Sequence, residues 1–374
     1  VPRSKVLLLF GTRPEIIKLA PVFHELAARH NRFNPVLVFS GQHQELAAKQ
    51  LKLFNLIPHY NLSVMSANQT PAETCARVMQ SFDEILTRET PDMVLVQGDT
   101  TTALAGALAA FYRQIPVGHV EAGLRSGCAV SPFPEEMNRR LISQLAKIHF
   151  AATPQNQQNL LIEGVAKHQI FVTGNPVVDA LRFVLRNYRQ STKIRTILQK
   201  TAGFKRILLT THRRESFGGK MRGNLQALRR FIDKNSDTVL IFPVHLNPVV
   251  QSTAKDSLFC SERIFLIKPL DYIDFIYLMK ESWLIVSDSG GVQEEAPSLG
   301  KPLLVLRENT ERPEALASGI AKLAGENPRQ LTQLLEENYR DETWIQSVRQ
   351  IENPFGQGDA AQKIADILMA DSSA

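Results

Sequence analysis

Cysteine is scarce in this chain. The three in 374 residues, Cys75, Cys128 and Cys260, stand far apart and are odd in number, with no paired spacing that would hold zinc or a redox couple. They read as packed thiols in a reducing compartment, and no disulfide framework is expected. No apolar stretch reaches the roughly 18 residues a membrane-spanning helix needs, and the chain opens on a strand pattern rather than a charged region followed by a signal core. A cytoplasmic protein without a membrane partner is therefore expected. Runs of Lys and Arg that would grip nucleic acid are also missing, so the net charge of +6 points to a small anionic ligand rather than to DNA or RNA. There is no GxGxxG fingerprint, no metal-ligand spacing, no low-complexity tract and no short repeat. Neither a metal nor a nicotinamide cofactor is expected.

What the chain does contain is a twofold alternation of β-rich runs and helical patterns, the mark of βαβ units and parallel sheets. Strand candidates in the first half are Lys5 to Phe10, Pro35 to Ser40, Met93 to Gln97, Val117 to Val120, Ile148 to Ala151 and Ile170 to Thr173. The pattern restarts with Arg206 to Thr211. It continues through Thr238 to Val244, Ile264 to Ile267, Leu284 to Ser287 and Leu303 to Leu306, with an edge candidate at Ala321 to Leu323. A chain of this length exceeds one ordinary core, and turn residues at Gly174-Asn175-Pro176 mark a seam. The expected fold is α/β: two Rossmann-like, doubly wound domains facing across a cleft. They span 1–175 and 176–355, and a helix in 356–374 crosses back to the first.

Polar residues gather just after the predicted strands, where open α/β sheets place their ligands. Phe10-Gly11-Thr12-Arg13-Pro14-Glu15-Ile16-Ile17-Lys18 joins an apolar strand to a helix through a turn carrying cations. Pro14 suits the first helical position, and Ile16, Leu19, Ala20 and Phe23 follow at helical spacing. The guanidinium of Arg13 offers the fork that phosphate oxygens accept; the plainer alternative is a surface Arg and Lys. Gly98 and Asp99 end another strand before threonines able to cap the next helix, which is also what a lone Asp there usually does. Glu121 follows a third strand, beside glycines that allow close backbone approach.

In Ser131-Pro132-Phe133-Pro134-Glu135-Glu136-Met137-Asn138-Arg139, Glu135 and Arg139 have the spacing of a helical ion pair, worth only about 0.3 to 0.5 kcal/mol on an exposed helix. Two prolines ahead of that helix instead suggest a rigid loop aiming Glu135. His212, in Thr211-His212-Arg213-Arg214-Glu215, takes the place in the second domain that Arg13 takes in the first, and can act as an acid or base near neutrality. Ser289-Gly290-Gly291 opens a helix with bare backbone N–H groups, an anion seat. Glu295 lies one turn on, placed to accept from ribose hydroxyls, and Arg312 lies beyond the next strand. A nucleoside diphosphate bound by the second domain is the expected ligand.

Taken together, these motifs resemble the non-hydrolysing UDP-N-acetylglucosamine 2-epimerases from Lys5 to about Gly358. FGTRPE, GDTTT, HVEAGLR, SPFPEEMNR, THRRESFG, PVHLNP, SDSGGVQEEAPSLGKP and TERPEA occur in that family's order. The resemblance implies a glycosyltransferase-B arrangement and interconversion of UDP-N-acetylglucosamine and UDP-N-acetylmannosamine in the cytoplasm. It implies elimination of UDP to 2-acetamidoglucal and re-addition, without a cofactor, by an enzyme that is commonly a homodimer. Asp99, Glu121 and Glu135 match the family's essential carboxylates, with Arg139 holding Glu135 and His212 beside the diphosphate. Lys18 matches its second basic position, and Phe275 a place near the uracil. Gln42, Glu136, Arg213 and His245 match a second nucleotide-sugar site that activates bacterial members.

The product would supply N-acetylmannosamine to a surface polymer, whether capsule, enterobacterial antigen or a teichoic-acid linkage. Within the same fold, a hydrolysing epimerase would release free N-acetylmannosamine and a glycosyltransferase would need an acceptor. A silent nucleotide-sugar sensor would not need the intact carboxylates.

Overall fold

The computed structural model describes residues 3–41, 44–66, 69–211, 218–259 and 261–371, without the side chains of 44–46. Its contacts divide into two units, residues 1–182 with 355–374, and residues 183–354. The first unit is built from β1 (Ser4–Phe10), α1 (Arg13–Ala28), β2 (Phe33–Phe39), α2 (Gln44–Leu53), β3 (Tyr60–Asn61), α3 (Pro71–Glu89), β4 (Met93–Gln97) and α4 (Thr101–Tyr112). It continues with β5 (Val117–Ala122), α5 (Glu135–Leu145), β6 (Ile148–Ala151), α6 (Pro154–Ile162), β7 (Ile170–Val172) and α7 (Pro176–Asn187), within which the division falls. The strands form a seven-stranded sheet in the order β3-β2-β1-β4-β5-β6-β7, every pair parallel. Strand order therefore reverses between β1 and β4, the switch point at which doubly wound sheets open a crevice.

The second unit comprises α8 (Thr192–Lys200), β8 (Lys205–Thr210), α9 (Gly219–Lys234), β9 (Thr238–Pro243), α10 (Pro248–Leu258), β10 (Ile264–Ile267), α11 (Tyr272–Lys280) and β11 (Leu284–Ser287). It closes with α12 (Gly290–Glu295), β12 (Leu303–Val305), α13 (Pro313–Ala317), β13 (Ala321–Leu323), α14 (Pro328–Arg340) and α15 (Thr343–Ser347). Its parallel sheet runs β10-β9-β8-β11-β12-β13, with the switch between β8 and β11.

Sheets covered on both faces need strands that are apolar throughout. Val6 to Phe10 of β1 and Leu284 to Val286 of β11 are accordingly buried without alternation. The first core sets Leu7 and Leu9 with Phe82 of α3 and the alanines of α4, and the second sets Leu209 and Val286 with Phe231, Leu228 and Leu331. The last helix, α16 (Ala360–Asp371), belongs to the first unit and packs on α1. Asp179 accepts the N–H groups of Ala360 and Ala361 at its start, and burial pushes this carboxyl up to about 6. Among the described residues no helix is long and apolar enough to cross a membrane.

Several local expectations change. α1 begins at Arg13, so Pro14 is its second residue, and the helix continues through Pro21. Its buried face takes in Ile17, Val22 and Leu26 as well as Glu15 and Lys18, while Phe23 is only half-buried. The two-residue strand β3 is too short to leave a periodic signal. Cys128 is exposed rather than packed, Cys75 is partly buried, and Cys260 lies outside the described residues.

Candidate functional site

At the switch point of the first sheet, two turns carry polar side chains. The turn after β1 holds Thr12 and Arg13 at the start of α1, and the turn after β4 holds Asp99 and Thr100 at the start of α4. Thr100 caps α4 by accepting the Ala103 N–H at 3.0 Å. A residue absent from the sequence-based candidates joins the two turns. Glu15, 1% exposed, accepts the N–H groups of Gly11 (3.0 Å) and Thr12 (2.7 Å) and the hydroxyl of Thr100 (2.7 Å). Burial raises its carboxyl above the usual range against the opposing pull of these donors.

Glu121 is the centre of a second network. β5 runs two residues beyond its expected end, and its register to β6 shifts between Val120 and Ala122. Glu121 is the bulge between them, and bulges re-aim side chains near functional sites. Its φ of 66° is left-handed, a conformation that costs a non-glycine residue about 1 kcal/mol or more and persists where the surroundings enforce it. Those surroundings are the ammonium of Lys18, which forms a buried ion pair with the carboxylate, and two amides. Gln97 donates at 3.0 Å and Asn175 at 2.6 Å. Lys18 is thus committed to a carboxylate, which the turn context alone did not indicate.

Asp99 and Arg139 form a third cluster. The Arg139 guanidinium pairs with Asp99 and, at 3.1 Å, with Glu136, whereas the sequence reading paired it with Glu135. Glu136 is fully buried and also takes Arg140 (2.9 Å) and the Ser126 N–H (2.9 Å). Burial opposes its ionisation, but these donors and the two guanidinium groups outweigh that and hold its carboxyl below the usual range. Asn138 donates to the Asp99 carbonyl at 2.8 Å. Glu135, the first residue of α5, is partly exposed, as is the Asp99 side chain. Beneath this cluster His119 bonds the carbonyl of Gly98 at 2.8 Å; burial drives its ring down to about 3 and that of His149 down to about 4.

In the second unit, Ser289 stands at the N-cap of α12 without a side-chain cap bond. A Cβ at Gly290 would come within 2.6 Å of the Arg312 guanidinium, whereas one at Gly291 would meet open space. Arg312 is held by Glu294 at 2.6 Å and Glu311 at 3.3 Å. Glu295 is buried and accepts the Tyr272 hydroxyl at 2.7 Å. Thr211 donates to buried Asp288 at 2.8 Å, so the ends of β8 and β11 are tied at this switch point too. Phe275, on α11, is half-buried. His245 is exposed and accepts the Asn247 N–H. Gln42, His212 and Arg213 lie outside the described residues.

Within the first unit, then, Lys18 and Glu121 meet directly, and so do Asp99, Arg139 and Glu136. Sequence reasoning missed Glu15, Gln97, Asn138 and Asn175. Gln97 and Asn175 carried a signal, being polar residues at or just after strand ends. Among the described residues, no group of three or more His, Cys, Asp or Glu is placed to hold a metal ion.

The fold and its strand-end polar groups define an α/β protein of two Rossmann-like, doubly wound units, the class of glycosyltransferase-B folds. A family model described as UDP-N-acetylglucosamine 2-epimerase matches residues 25–369. The Escherichia coli (strain K12) UDP-N-acetylglucosamine 2-epimerase is 45% identical over 369 residues, covering 97% of this chain and 98% of that protein. The Bacillus subtilis (strain 168) enzyme is 44% identical over 367 residues, covering 98% and 95%. A crystal structure of the Neisseria meningitidis UDP-GlcNAc 2-epimerase bound to UDP-GlcNAc matches with a TM-score of 0.91 at 42% identity, over 98% of this chain and 100% of that one. The chain belongs to the UDP-N-acetylglucosamine 2-epimerase family of isomerases.

Proposed function

We propose that this chain interconverts UDP-N-acetylglucosamine and UDP-N-acetylmannosamine by eliminating UDP to give 2-acetamidoglucal and adding UDP back with C2 inverted. The proposal rests on the carboxylates Asp99 and Glu121, each seated on its own cation at a strand end, in a chain so closely related to 2-epimerases along its length. No carbonyl acidifies the C2 proton, so direct removal is prohibitive; departure of the UDP anion makes its loss possible. The proton returns to the opposite face, and acid–base groups are needed on both sides of the ring. Asp99, Glu121 and Glu135 are assigned to these transfers, with Lys18 holding Glu121 and Arg139 holding Asp99.

Arg13, His212 and the Ser289-Gly290-Gly291 turn are assigned to the diphosphate, whose charge grows as it leaves. Glu295 is assigned to the ribose, Phe275 to the uracil, and Arg312 to support of the Gly290 turn. Acid–base work resides in the first unit and UDP binding in the second. So written, the reaction draws on no cofactor. A cytoplasmic homodimer feeding a surface polysaccharide completes the proposal; exposed apolar residues on α4 and α5 support the dimer.

Turnover of UDP-N-acetylglucosamine in D2O tests the reaction. The expected product is a UDP-sugar carrying deuterium at C2. Free N-acetylmannosamine with UDP would instead establish the hydrolysing alternative.

A further inference from the structure

Two helices of the first unit open on the same sequence device, a Thr followed three residues later by a Glu that reaches back to the Thr N–H. In α3 the pair is Thr70 and Glu73. It lies in the open, and both of its capping bonds stay within the one turn, with the Thr70 N–H donating at 2.8 Å and the Glu73 N–H at 3.2 Å. In α1 the pair is Thr12 and Glu15, and its surroundings differ. Glu15 is buried, takes the Gly11 N–H as well, and its other oxygen accepts the hydroxyl of Thr100, 85 residues away. Capping requires neither the burial nor the distant bond, since Glu73 caps without them. Burying a carboxylate is costly unless donors surround it, and here every donor comes from the two turns flanking the switch point.

We propose that Glu15 is a positioning residue for the epimerisation, tying the turn that carries Arg13 to the turn that carries Asp99. The proposal rests on the roles given to Arg13 and Asp99 above. With both oxygens engaged by donors from the two turns, Glu15 acts through these turns rather than on substrate. Thr100 is the counterpart: its oxygen caps α4 while its hydrogen goes to Glu15. One carboxylate thereby fixes the starts of α1 and α4 against each other, and displacement of such groups by about 1 Å can slow turnover about 100-fold.

The full-length protein is to be compared with Glu15→Gln, Thr100→Val, Thr100→Ser and, as a control, Glu73→Gln. Glu15→Gln and Thr100→Val are expected to lower kcat about 100-fold with KM within about threefold, and their combination to be little worse than either alone. Thr100→Ser keeps both bonds and should retain most activity; Glu73→Gln should retain all of it. Hydrogen exchange gives a readout independent of turnover: Glu15→Gln should lose protection at residues 11–13 and 98–101 together, at temperatures where the rest of the fold stays protected. Inactive wild-type protein would overturn the assigned reaction while exchange still decides the tie. Normal kcat in Glu15→Gln, independent effects of the two changes, or loss of protection at only one turn would overturn the positioning role.

Discussion

His119 and His149 stand opposite one another on β5 and β6, both buried, and the Nδ1 atom of each finds no hydrogen-bond partner among the described residues. Burial holds the two rings neutral, to about pH 3 and about pH 4 respectively, and for His119 the nearby His149, Arg125 and Arg139 add to the depression. Unfolded histidine titrates near 6.5, so below that pH the unfolded chain binds protons that the folded chain refuses. Stability from this source is complete above pH 6.5 and is lost as pH falls toward 4. By pH 4.5 the loss amounts to roughly 2 to 3 kcal/mol for each ring. Melting temperature should therefore drop between pH 6.5 and 4.5, and His149→Gln should flatten that drop; an equal slope in the variant would show that other groups cause the acid loss.

The strand-end carboxylates were legible because strand ends of an open sheet are where ligand-binding groups go, and both Asp99 and Glu121 sit there. The partners were not, because Glu121's left-handed bulge and the pairing of Arg139 with Asp99, forty positions away, depend on tertiary contacts that no local spacing encodes. Glu15 was hidden for the opposite reason. Its capping signature accounts for it locally, and nothing in FGTRPE reveals the reach to Thr100.

At the scale of elements, the buried strands were the most readable part. Met93–Gln97, Ile148–Ala151, Ile264–Ile267, Leu284–Ser287 and the edge strand Ala321–Leu323 fall where apolar runs between turn residues put them. For α16 the sequence suggested a helix crossing back to the first domain, but such runs cannot reveal that its neighbour there is α1, over three hundred residues earlier in the chain. Its Ile364 and Leu368 are buried, and Arg29 pairs with Asp366 at 2.6 Å on the outside. The exposed pair contributes at most about 1 kcal/mol. The apolar side chains dominate, at about 1.5 to 3 kcal/mol each, against a total of about 5 to 15 kcal/mol for a domain. Deletion of residues 356–374 is therefore expected to open the first unit to protease while the second unit keeps its wild-type cleavage pattern. A first unit that stays resistant without α16 would show that its face on α1 contributes little.

At the scale of the whole molecule, each unit closes its own sheet over its own core, so neither depends on a second chain to bury its strands. What remains uncovered is more specific. Met137 and Leu141 stand one turn apart on α5 and are 38% and 46% exposed, and α4, which packs against α5, ends in exposed Phe111 and Tyr112. Large apolar side chains left exposed on one helix face, as Met137 and Leu141 are on α5, mark association sites. A twofold dimer brings the same patch from each chain into one self-complementary interface, so one substitution is felt twice. Leu141 is already about half covered within its own chain, so Leu141→Lys would then remove about 1.5 to 3 kcal/mol of apolar burial over the two copies, weakening association by about one to two orders of magnitude. Sedimentation at micromolar concentration should give twice the chain mass for the wild-type protein and the single-chain mass for Leu141→Lys, with the first unit's helical signal unchanged. A dimer that survives Leu141→Lys and Met137→Lys together would place the interface elsewhere, and a wild-type monomer would remove the homodimer from the proposal.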